Sequence, residues 1–342
     1  MALNHIDEIN HAELIETSFT GQVAVLVGGV GGAKLAHGLM QIMPSERLTV
    51  IVNTGDDFWH YGLRVCPDLD TVMYTLAGIV DKNNGWGVGG DTTSMLDALR
   101  RYGEQPWFRL GDQDIATHLL RTLALRDGER LTAITARLSK SLGILPTLLP
   151  MTDEPVATMI ETVEQGELDF QEYFVRYRWQ PTVRALRYAG AADAHVTPEV
   201  ESALRGADAI LFAPSNPWLS VMPILSVGGM RDLLAACAAP KLALTPIVAG
   251  SALKGPAAKI AAELGFEVSP RGAARVYQGV IDGFVYDSRD SEIDFTDLAP
   301  LRTAVYDTIM QDEPARARLA GQMLDWAQAW EGDHEHLGDH PR

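Results

Sequence analysis

Cysteine is scarce in this chain, and long apolar runs are missing from it. The two cysteines, Cys66 and Cys237, supply no disulfide framework, which is typical of a reducing compartment. No run of about eighteen apolar residues occurs, so the sequence contains no candidate membrane-spanning helix. Residues 1–19 are acidic and lack the apolar centre of a signal peptide. These absences predict a cytoplasmic protein without a membrane partner.

Basic residues are also few. Lys and Arg total 28 against 45 Asp and Glu, which gives a net charge of −17. This balance argues against a nucleic-acid partner, because binding to phosphate backbones requires clustered Lys and Arg. A single anionic nucleotide can still bind where amides and local cations line its pocket. With 46% hydrophobic residues, the 342-residue chain has ample material for a folded core of one or two domains.

Apolar, β-branched runs alternate with segments of helical spacing. The runs are typical of buried parallel strands, and they lie at 22–27, 48–52, 209–213, 241–248 and 283–287. Strand, helix and strand in this alternation predict a Rossmann-like, doubly wound, mostly parallel sheet in three α/β/α layers. Polar turns follow several of these strands at Asn53, Ser215 and Lys254, and they are expected to face one rim of the sheet.

Changes in composition divide the chain into five segments. We predict a polar extension, a first part of a nucleotide- and metal-binding α/β core, an inserted subdomain, a second part of the core, and C-terminal helices with a polar tail. Their bounds are 1–20, 21–130, 131–195, 196–290 and 291–342. Polar and apolar residues alternate between Ile160 and Tyr177 with a glycine between them, which predicts an antiparallel hairpin within the insertion.

A glycine-rich stretch, Gly28-Gly-Val-Gly-Gly-Ala-Lys34, follows the first predicted strand and precedes a helix predicted from Ala33 to Met43. It meets neither familiar phosphate motif: Lys34 replaces the third small residue of the dinucleotide fingerprint, and the Walker pattern requires other neighbours around the lysine. Small residues nevertheless let backbone amides approach phosphates at a helix N-terminus. We therefore predict phosphate binding by Gly28, Gly29, Gly31, Gly32 and Lys34, with a tight strand-to-helix turn as the alternative.

Four aspartates occur within the stretch from Asn53 to Thr71, directly after the second predicted strand. They are Asp56, Asp57, Asp68 and Asp70. Carboxylates beyond the C-terminal end of a parallel strand lie where open α/β sheets bind ligands. Carboxylate oxygens suit Mg²⁺, which usually bridges them to substrate phosphates. The alternative is structural, with the first pair shaping a turn and the second pair capping a helix.

Three further positions have two interpretations each. Trp86, in the glycine-rich 83–91 loop, can stack on a planar ligand or cover the local core. Asp112 or Asp114 is a plausible cap for the helix that follows. His118 lies within that helix. Its functional interpretation is a ligand or proton carrier, and the alternative is a structural histidine.

Five segments occur in the same order as in a known family: 27–35, 53–79, 110–118, 213–217 and 246–259. Together they resemble the 2-phospho-L-lactate transferase family, called CofD in some lineages and FbiA in others, over residues 22–290. The resemblance implies an enzyme of coenzyme F-420 biosynthesis. Such an enzyme moves a 2-phospholactyl or phosphoenolpyruvyl group from a guanosine-diphosphate-linked donor to the hydroxyl of the deazaflavin Fo. The reaction releases GMP, and the resemblance further implies a Mg²⁺ cofactor and a homodimer.

Individual residues can be given roles in such a transfer. We hypothesise that Asp56 and Asp68 bind Mg²⁺, while Asp70 or Asp57 contacts or deprotonates the Fo hydroxyl. The resemblance implies that the guanosine part is seated by Ser215, Asn216, Lys254 and Gly255. Candidates to pack on the deazaflavin ring are Trp59, Tyr61 and Trp86. One departure is Gln113, where the family often has a basic residue; Arg109 or Arg121 would have to replace it.

Two other functions compete with this one. A nucleotide-sugar-binding regulator of the YvcK type typically has a DDGGSSG-like stretch after the second strand, whereas this chain has GDDFWHYG. In an NAD-dependent oxidoreductase Asp56 or Asp57 would bind the ribose, but the missing third glycine and the surplus aspartates argue against it. Stabilisation by GDP with Mg²⁺, but not by NAD or UDP-sugars, would distinguish the transferase from both. The donor arm cannot be read from sequence, since the alternatives differ by a few atoms.

Overall fold

The computed structural model describes residues 17–252 and 255–335. The polar extension predicted at 1–20 lies outside this range except for its last four residues, as do Lys254 and most of the predicted polar tail. The strands are β1 Val23–Val27, β2 Leu48–Val52, β3 Phe58–His60, β4 Leu63–Val65, β5 Thr147–Pro150, β6 Ala157–Thr162, β7 Gly166–Asp169, β8 Val183–Ala189, β9 Ala209–Phe212, β10 Lys241–Leu244, β11 Ile247–Val248, β12 Ser251–Ala252, β13 Gly283–Asp287 and β14 Arg302–Tyr306.

The helices are α1 Val30–Ile42, α2 Pro67–Leu76, α3 Ser94–Arg101, α4 Asp112–Arg126, α5 Leu131–Ser141, α6 Pro198–Arg205, α7 Met222–Ser226, α8 Met230–Ala236, α9 Ala257–Glu263, α10 Pro270–Val276 and α11 Glu313–Glu335. Within the described ranges, none of them combines the length and the apolar character needed to span a bilayer. Two single π-helical turns, Glu172–Arg176 and Pro217–Val221, flank the site described below.

Seven strands form one central sheet in the order β14-β13-β10-β9-β1-β2-β5. Every neighbouring pair in it is parallel. The chain builds outward from β1 through β2 to β5 and then returns to place β9 on the other side of β1. The strand order therefore reverses between β1 and β9, and open α/β sheets bind their ligands in the crevice at such a point.

Side chains of the central strands alternate between two apolar cores. Along β1, Val23, Val25 and Val27 face the core shared with α1, α2, α5 and α11. Ala24 and Leu26 face the opposite core, which includes residues of α6, α8 and α10. Because successive residues of a strand point to opposite faces, a strand buried on both sides is apolar throughout. The predicted three-layer α/β/α architecture is confirmed.

The two edge strands were not predicted. β5 lies in the predicted insertion and pairs with β2. β14 lies in the C-terminal region that was expected to be helical, and it pairs with β13. Edge strands give a weak sequence signal: β5 ends in proline, which edge positions tolerate, and β14 is half exposed. The predicted strand at 241–248 is also interrupted, since Thr245 and Pro246 separate β10 from β11.

The predicted antiparallel element is confirmed as a three-stranded sheet, β7-β6-β8. Its apolar face includes Ile160 and Leu168. These residues share a third core with Trp218 and Leu219 of the π-turn and with Ile260 of α9. The inserted sheet is thereby packed against elements that follow the carboxyl end of β9.

Candidate active site

The carboxyl ends of β1, β2 and β9 are joined by hydrogen bonds at the crevice. The amide of Gly28 donates to Oγ of Ser215 over 2.9 Å. The amide of Asn53 donates to the carbonyl oxygen of Val27, also over 2.9 Å. These bonds bring together three segments that the sequence predicted to meet at one rim.

The glycine stretch is more helical than predicted, because α1 begins at Val30 and not at Ala33. Gly31 and Gly32 therefore lie in its first turn. A Cβ atom at Gly31 would lie 2.5 Å from the carbonyl oxygen of Pro214, so this glycine allows close packing of α1 against the turn after β9. The amides of the first helical turn have no partner within a helix, and they carry the positive end of its dipole.

Lys34 does not contribute to the glycine loop in the way the sequence suggested. Its ammonium group donates to the carbonyl oxygen of Met310 over 2.9 Å. Met310 lies between β14 and α11, so the lysine is engaged by the C-terminal part of the chain. The structure gives no support to a contact between Lys34 and phosphates at Gly28 and Gly29.

Asp56 and Asp68 face each other across the amide of Asn53. Its Nδ2 atom lies 2.9 Å from Oδ2 of Asp68 and 3.5 Å from Oδ1 of Asp56. Asp68 also accepts a hydrogen bond from the backbone of Gly29. A Cβ atom at Gly29 would lie only 2.6 Å from Oδ1 of Asp68, so glycine is needed there for the carboxylate to approach the loop.

Burial makes this carboxylate pair unfavourable when it is ionised. Burial and the nearby charge of Asp68 raise the pKa of Asp56 well above its usual range. Burial raises the pKa of Asp68 to about 7, although the hydrogen bond from Asn53 opposes this rise. Asp56 is buried and Asp68 is partly buried. Two carboxylates on either side of one amide fit a divalent cation, which would offset their mutual repulsion. The residues present therefore suit Mg²⁺.

Asp70 belongs to a separate, charge-balanced cluster. Both of its oxygens are bonded by the guanidinium of Arg121, with Nη1 3.0 Å from Oδ2 and Nη2 closer still to Oδ1. Nδ1 of His118 lies 3.4 Å from Oδ2 of Asp70, and its Nε2 lies 3.2 Å from Asp114. Asp70, Asp114 and His118 could hold a cation by spacing alone, but Arg121 already supplies the positive charge. His118 is buried between the two carboxylates, and its Nε2 makes no hydrogen bond among the described residues. The role of His118 stays a prediction.

Asp57 is placed differently. Its Oδ2 lies 3.4 Å from the guanidinium of Arg64, while its buried Oδ1 has no hydrogen-bond partner among the described residues. Burial raises the pKa of Asp57 to about 6, with Arg64 opposing the rise. Of the two predicted catalytic carboxylates, Asp70 has both oxygens engaged by Arg121, whereas the side chain of Asp57 is fully buried and one of its oxygens has no hydrogen-bond partner among the described residues. The catalytic role of either carboxylate stays a prediction.

Two exposed tryptophans were predicted to pack on a planar ligand, and they lie on different elements. Trp59, on the β3–β4 hairpin, is 55% exposed, and the guanidinium of Arg64 lies 5.9 Å from its ring. Trp86 is 41% exposed in the 83–91 loop, with Arg109 at 6.0 Å. A small crevice beside Trp86 is lined by Arg109, Asp91 and Asp114. An exposed indole beside a cation is a suitable surface for a planar ligand.

Asn216 caps the π-turn that follows β9. Its Oδ1 accepts hydrogen bonds from the amides of Trp218 and Leu219. Its Nδ2 is buried and has no partner among the described residues. Gly255 has a φ of +70°, a backbone conformation that favours glycine. Lys254, the third candidate for seating the guanosine part, lies outside the described residues.

Comparison with known proteins identifies the family. The family model described as 2-phospho-L-lactate transferase CofD matches residues 23–317. The chain belongs to the CofD family. It is 41% identical to the 2-phospho-L-lactate transferase of Methanosarcina mazei over 79% of this chain and 88% of that protein. It is 40% identical to the phosphoenolpyruvate transferase of Streptomyces griseus over 90% of this chain and 98% of that protein. As a member of the CofD family, it is a transferase.

A solved structure shares the CofD fold at low sequence identity. A protein of the UPF0052 family from Bacillus halodurans superposes with a TM-score of 0.62 and 15% identity, over 89% of this chain and 99% of that one. At this identity the likeness concerns the fold alone. It agrees with a seven-stranded parallel sheet flanked by helices.

Several residues at the site of this CofD family member were not found from the sequence. Gln171 donates to Oδ2 of Asp56 over 3.1 Å from a position 115 residues away. Asp91 accepts from the amides of Gln113 and Asp114 at the start of α4. The cap predicted at Asp112 or Asp114 is therefore supplied by Asp91, whereas Asp112 instead accepts from the amides that begin α3. No local pattern predicts these partners, since each depends on contacts between distant segments.

Proposed function

We propose that this enzyme transfers a 2-phospholactyl or phosphoenolpyruvyl group from a guanosine-diphosphate-linked donor to the hydroxyl of the deazaflavin Fo. GMP would be released, and Mg²⁺ would be the cofactor. The observation that carries the proposal is the carboxylate pair of Asp56, which is buried, and Asp68, which is partly buried. The pair lies beside the N-terminus of α1 at the reversal of strand order. The names of the relatives support both candidate groups for transfer.

The donor diphosphate is proposed to bind at the start of α1. The first-turn amides of Val30, Gly31 and Gly32 have no helical partner, and the helix dipole favours an anion there. The unpartnered Nδ2 of Asn216 can donate to a polar group of the donor. Ser215 would act indirectly, because its hydroxyl already accepts from Gly28.

Asp56 and Asp68 would hold Mg²⁺. The bound cation would supply positive charge that offsets the negative charge of the phosphates. In the proposed reaction the hydroxyl oxygen of Fo forms a bond to the phosphorus that carries the acyl group. The bond from that phosphorus to the oxygen of the GMP phosphate breaks, and GMP leaves with the electron pair. Asp57 would accept the proton of the hydroxyl, because its pKa is about 6 and its Oδ1 has no hydrogen-bond partner among the described residues; this buried oxygen would have to become accessible when the substrates bind.

The acceptor ring is proposed to pack on the exposed indole of Trp86, with Trp59 as a second contact. Phe58 on the hairpin packs edge-on against Phe108 at 4.9 Å, and His60 packs against Trp107 at 5.3 Å. These contacts hold the hairpin that carries Trp59. Both tryptophans are then presented by supported elements, which reduces the entropy lost on binding.

The experiment mixes purified protein with Fo, Mg²⁺ and each guanylylated donor in turn, and follows products by mass spectrometry. An Fo adduct that contains the phospho-acyl group, together with GMP, is expected with one donor. That donor identifies the transferred group. Absence of an adduct with the phospholactate, phosphoenolpyruvate and phosphoglycerate donors, in protein that binds nucleotide, would overturn the proposal in favour of a nucleotide-binding regulator.

A further inference from the structure

Gln171 is a buried amide that follows the inserted sheet, directly before the π-turn Glu172–Arg176, and its side chain reaches the proposed metal site. Its side chain donates from Nε2 to Oδ2 of Asp56 over 3.1 Å, and the residue is 5% exposed. We propose that Gln171 is a positioning residue, which holds Asp56 in the orientation that binds the divalent cation. This inference rests on the proposed function, because it takes Asp56 as a metal ligand.

The backbone around Gln171 is anchored on both sides. Tyr173 is fully buried, and its hydroxyl lies 3.3 Å from Nζ of Lys259 on α9. The rings of Phe170 and Phe174 stack at 5.5 Å. A side chain on an anchored turn keeps a defined direction, so the bond to Asp56 is a built feature of the fold.

A second bond joins the inserted sheet to the same loop. The amide of Thr158 on β6 donates to the carbonyl oxygen of Gly55 over 2.6 Å. A Cβ atom at Gly55 would lie 3.0 Å from Oγ1 of Thr158, so the two segments are in close contact. The inserted region thus holds the loop at Gly55 through the backbone of β6 and at Asp56 through the side chain of Gln171.

The two oxygens of Asp56 consequently have different surroundings. Gln171 engages Oδ2, whereas Oδ1 lies on the side of Asn53 and Asp68. Hydrogen bonds to ligating groups orient them, and loss of such a bond typically costs about 10–100-fold in metal affinity. Removal of the Gln171 donor should therefore weaken cation binding without removing a ligand.

The test measures Mn²⁺ binding to the full-length protein by electron paramagnetic resonance of the free ion. Gln171→Met keeps the length of the side chain but removes its donor, and Gln171→Ala provides a second variant if the first fails to fold. Gln165→Ala is the matched control, because Gln165 is exposed in the turn between β6 and β7 of the same inserted region. Melting temperature is recorded for each protein, since a purely structural role would lower it and leave Mn²⁺ affinity unchanged.

We expect the Kd for Mn²⁺ to rise about tenfold in both Gln171 variants and to stay at the wild-type value in Gln165→Ala. If the Gln171 variants keep the wild-type Kd, whatever their melting temperature, the positioning role of Gln171 is overturned and the metal site itself is not. Wild-type protein that binds no Mn²⁺ would overturn the metal site itself and this inference with it. The product assay above separates that result from a failure of the proposed transfer.

Discussion

Asn53 donates a hydrogen bond to Asp68 over 2.9 Å, although fifteen residues separate them in the chain. The amide of the same Asn53 donates to Val27 at the end of β1. One residue therefore ties the end of β2 to the end of β1 and to the first turn of α2. This arrangement sets the position of Asp68 beside Gly29, where the carboxylate can serve both the phosphate loop and a cation.

Replacing Asp68 with Asn should abolish transfer and leave the fold intact. The substitution keeps the shape of the side chain but removes a charged oxygen ligand, and metal-ion catalysis is worth several kcal/mol, or at least about 100-fold in rate. Turnover is measured by product formation and folding by melting temperature. The matched control is Asp193→Asn, which neutralises an exposed carboxylate. A fully active Asp68→Asn variant would exclude Asp68 from the metal site.

Cation binding should strengthen as pH rises. The pKa of Asp68 is raised from 3.8 to about 7 by burial, so the folded protein binds a proton that the unfolded chain has released. The contribution of Asp68 to the stability of the metal-free protein therefore falls as pH rises between about 4 and 7. A cation requires ionised carboxylates and competes with that proton.

The measurement is the melting temperature with and without Mg²⁺ across that pH range. The increase caused by Mg²⁺ is expected to be small near pH 5 and to grow until about pH 7–8, where deprotonation is complete. Equal stabilisation by Mg²⁺ at both ends of the range would contradict the carboxylate pair as its binding site.

Arg121 should be essential for stability. It is 1% exposed and neutralises the buried Asp70, so Arg121→Met leaves an unpaired buried charge at a cost of about 3–5 kcal/mol. Urea denaturation measures the free energy of unfolding. Arg137→Met is the control, because the pair of Arg137 with Glu129 is exposed and is worth less than about 1 kcal/mol.

A double variant tests the physical cause of that loss. Adding Asp70→Leu to Arg121→Met removes both charges, and well-packed apolar replacements of a buried ion pair are often neutral. Recovery of most of the lost stability is expected. A double variant no more stable than Arg121→Met would show that packing by the arginine side chain, and not charge balance, accounts for its effect.

Trp86→Ala should weaken binding of the acceptor ring. Stacking of a flat heterocycle on an aromatic side chain is worth about 1–3 kcal/mol, so the KM for Fo is expected to rise about tenfold or more. Steady-state kinetics with varied Fo provide the measurement. Trp179→Ala is the control, because Trp179 is 40% exposed on the inserted region against 41% for Trp86. An unchanged KM in Trp86→Ala would place the ring elsewhere.

Central strands were predictable from the sequence, whereas edge strands were not. β1 and β2 are continuous apolar runs because both of their faces are buried. β14 has exposed side chains along one face and resembles the polar segments around it. A strand that is buried on both faces has a continuous apolar sequence that is easy to recognise. A strand at the edge of a sheet has a mixed sequence that is not.

The site shows the same division. Four aspartates after β2 were visible in the sequence, and the approach of Asp68 to the glycine stretch followed from the rule that parallel strands end at one rim. The partners of these aspartates were not visible. Arg121 lies 51 residues from Asp70, and Gln171 lies 115 residues from Asp56.

By itself, the sequence determined which core strands and helices follow one another along the chain. It also determined the position of the carboxylates after a strand end and the likeness to the family. Only the tertiary structure decided that Asp56 and Asp68 face each other while Asp70 is neutralised by Arg121. The reason is physical. Periodicity along the chain reports which residues are buried, but electrostatic partners are chosen by the packing of segments that are distant in sequence.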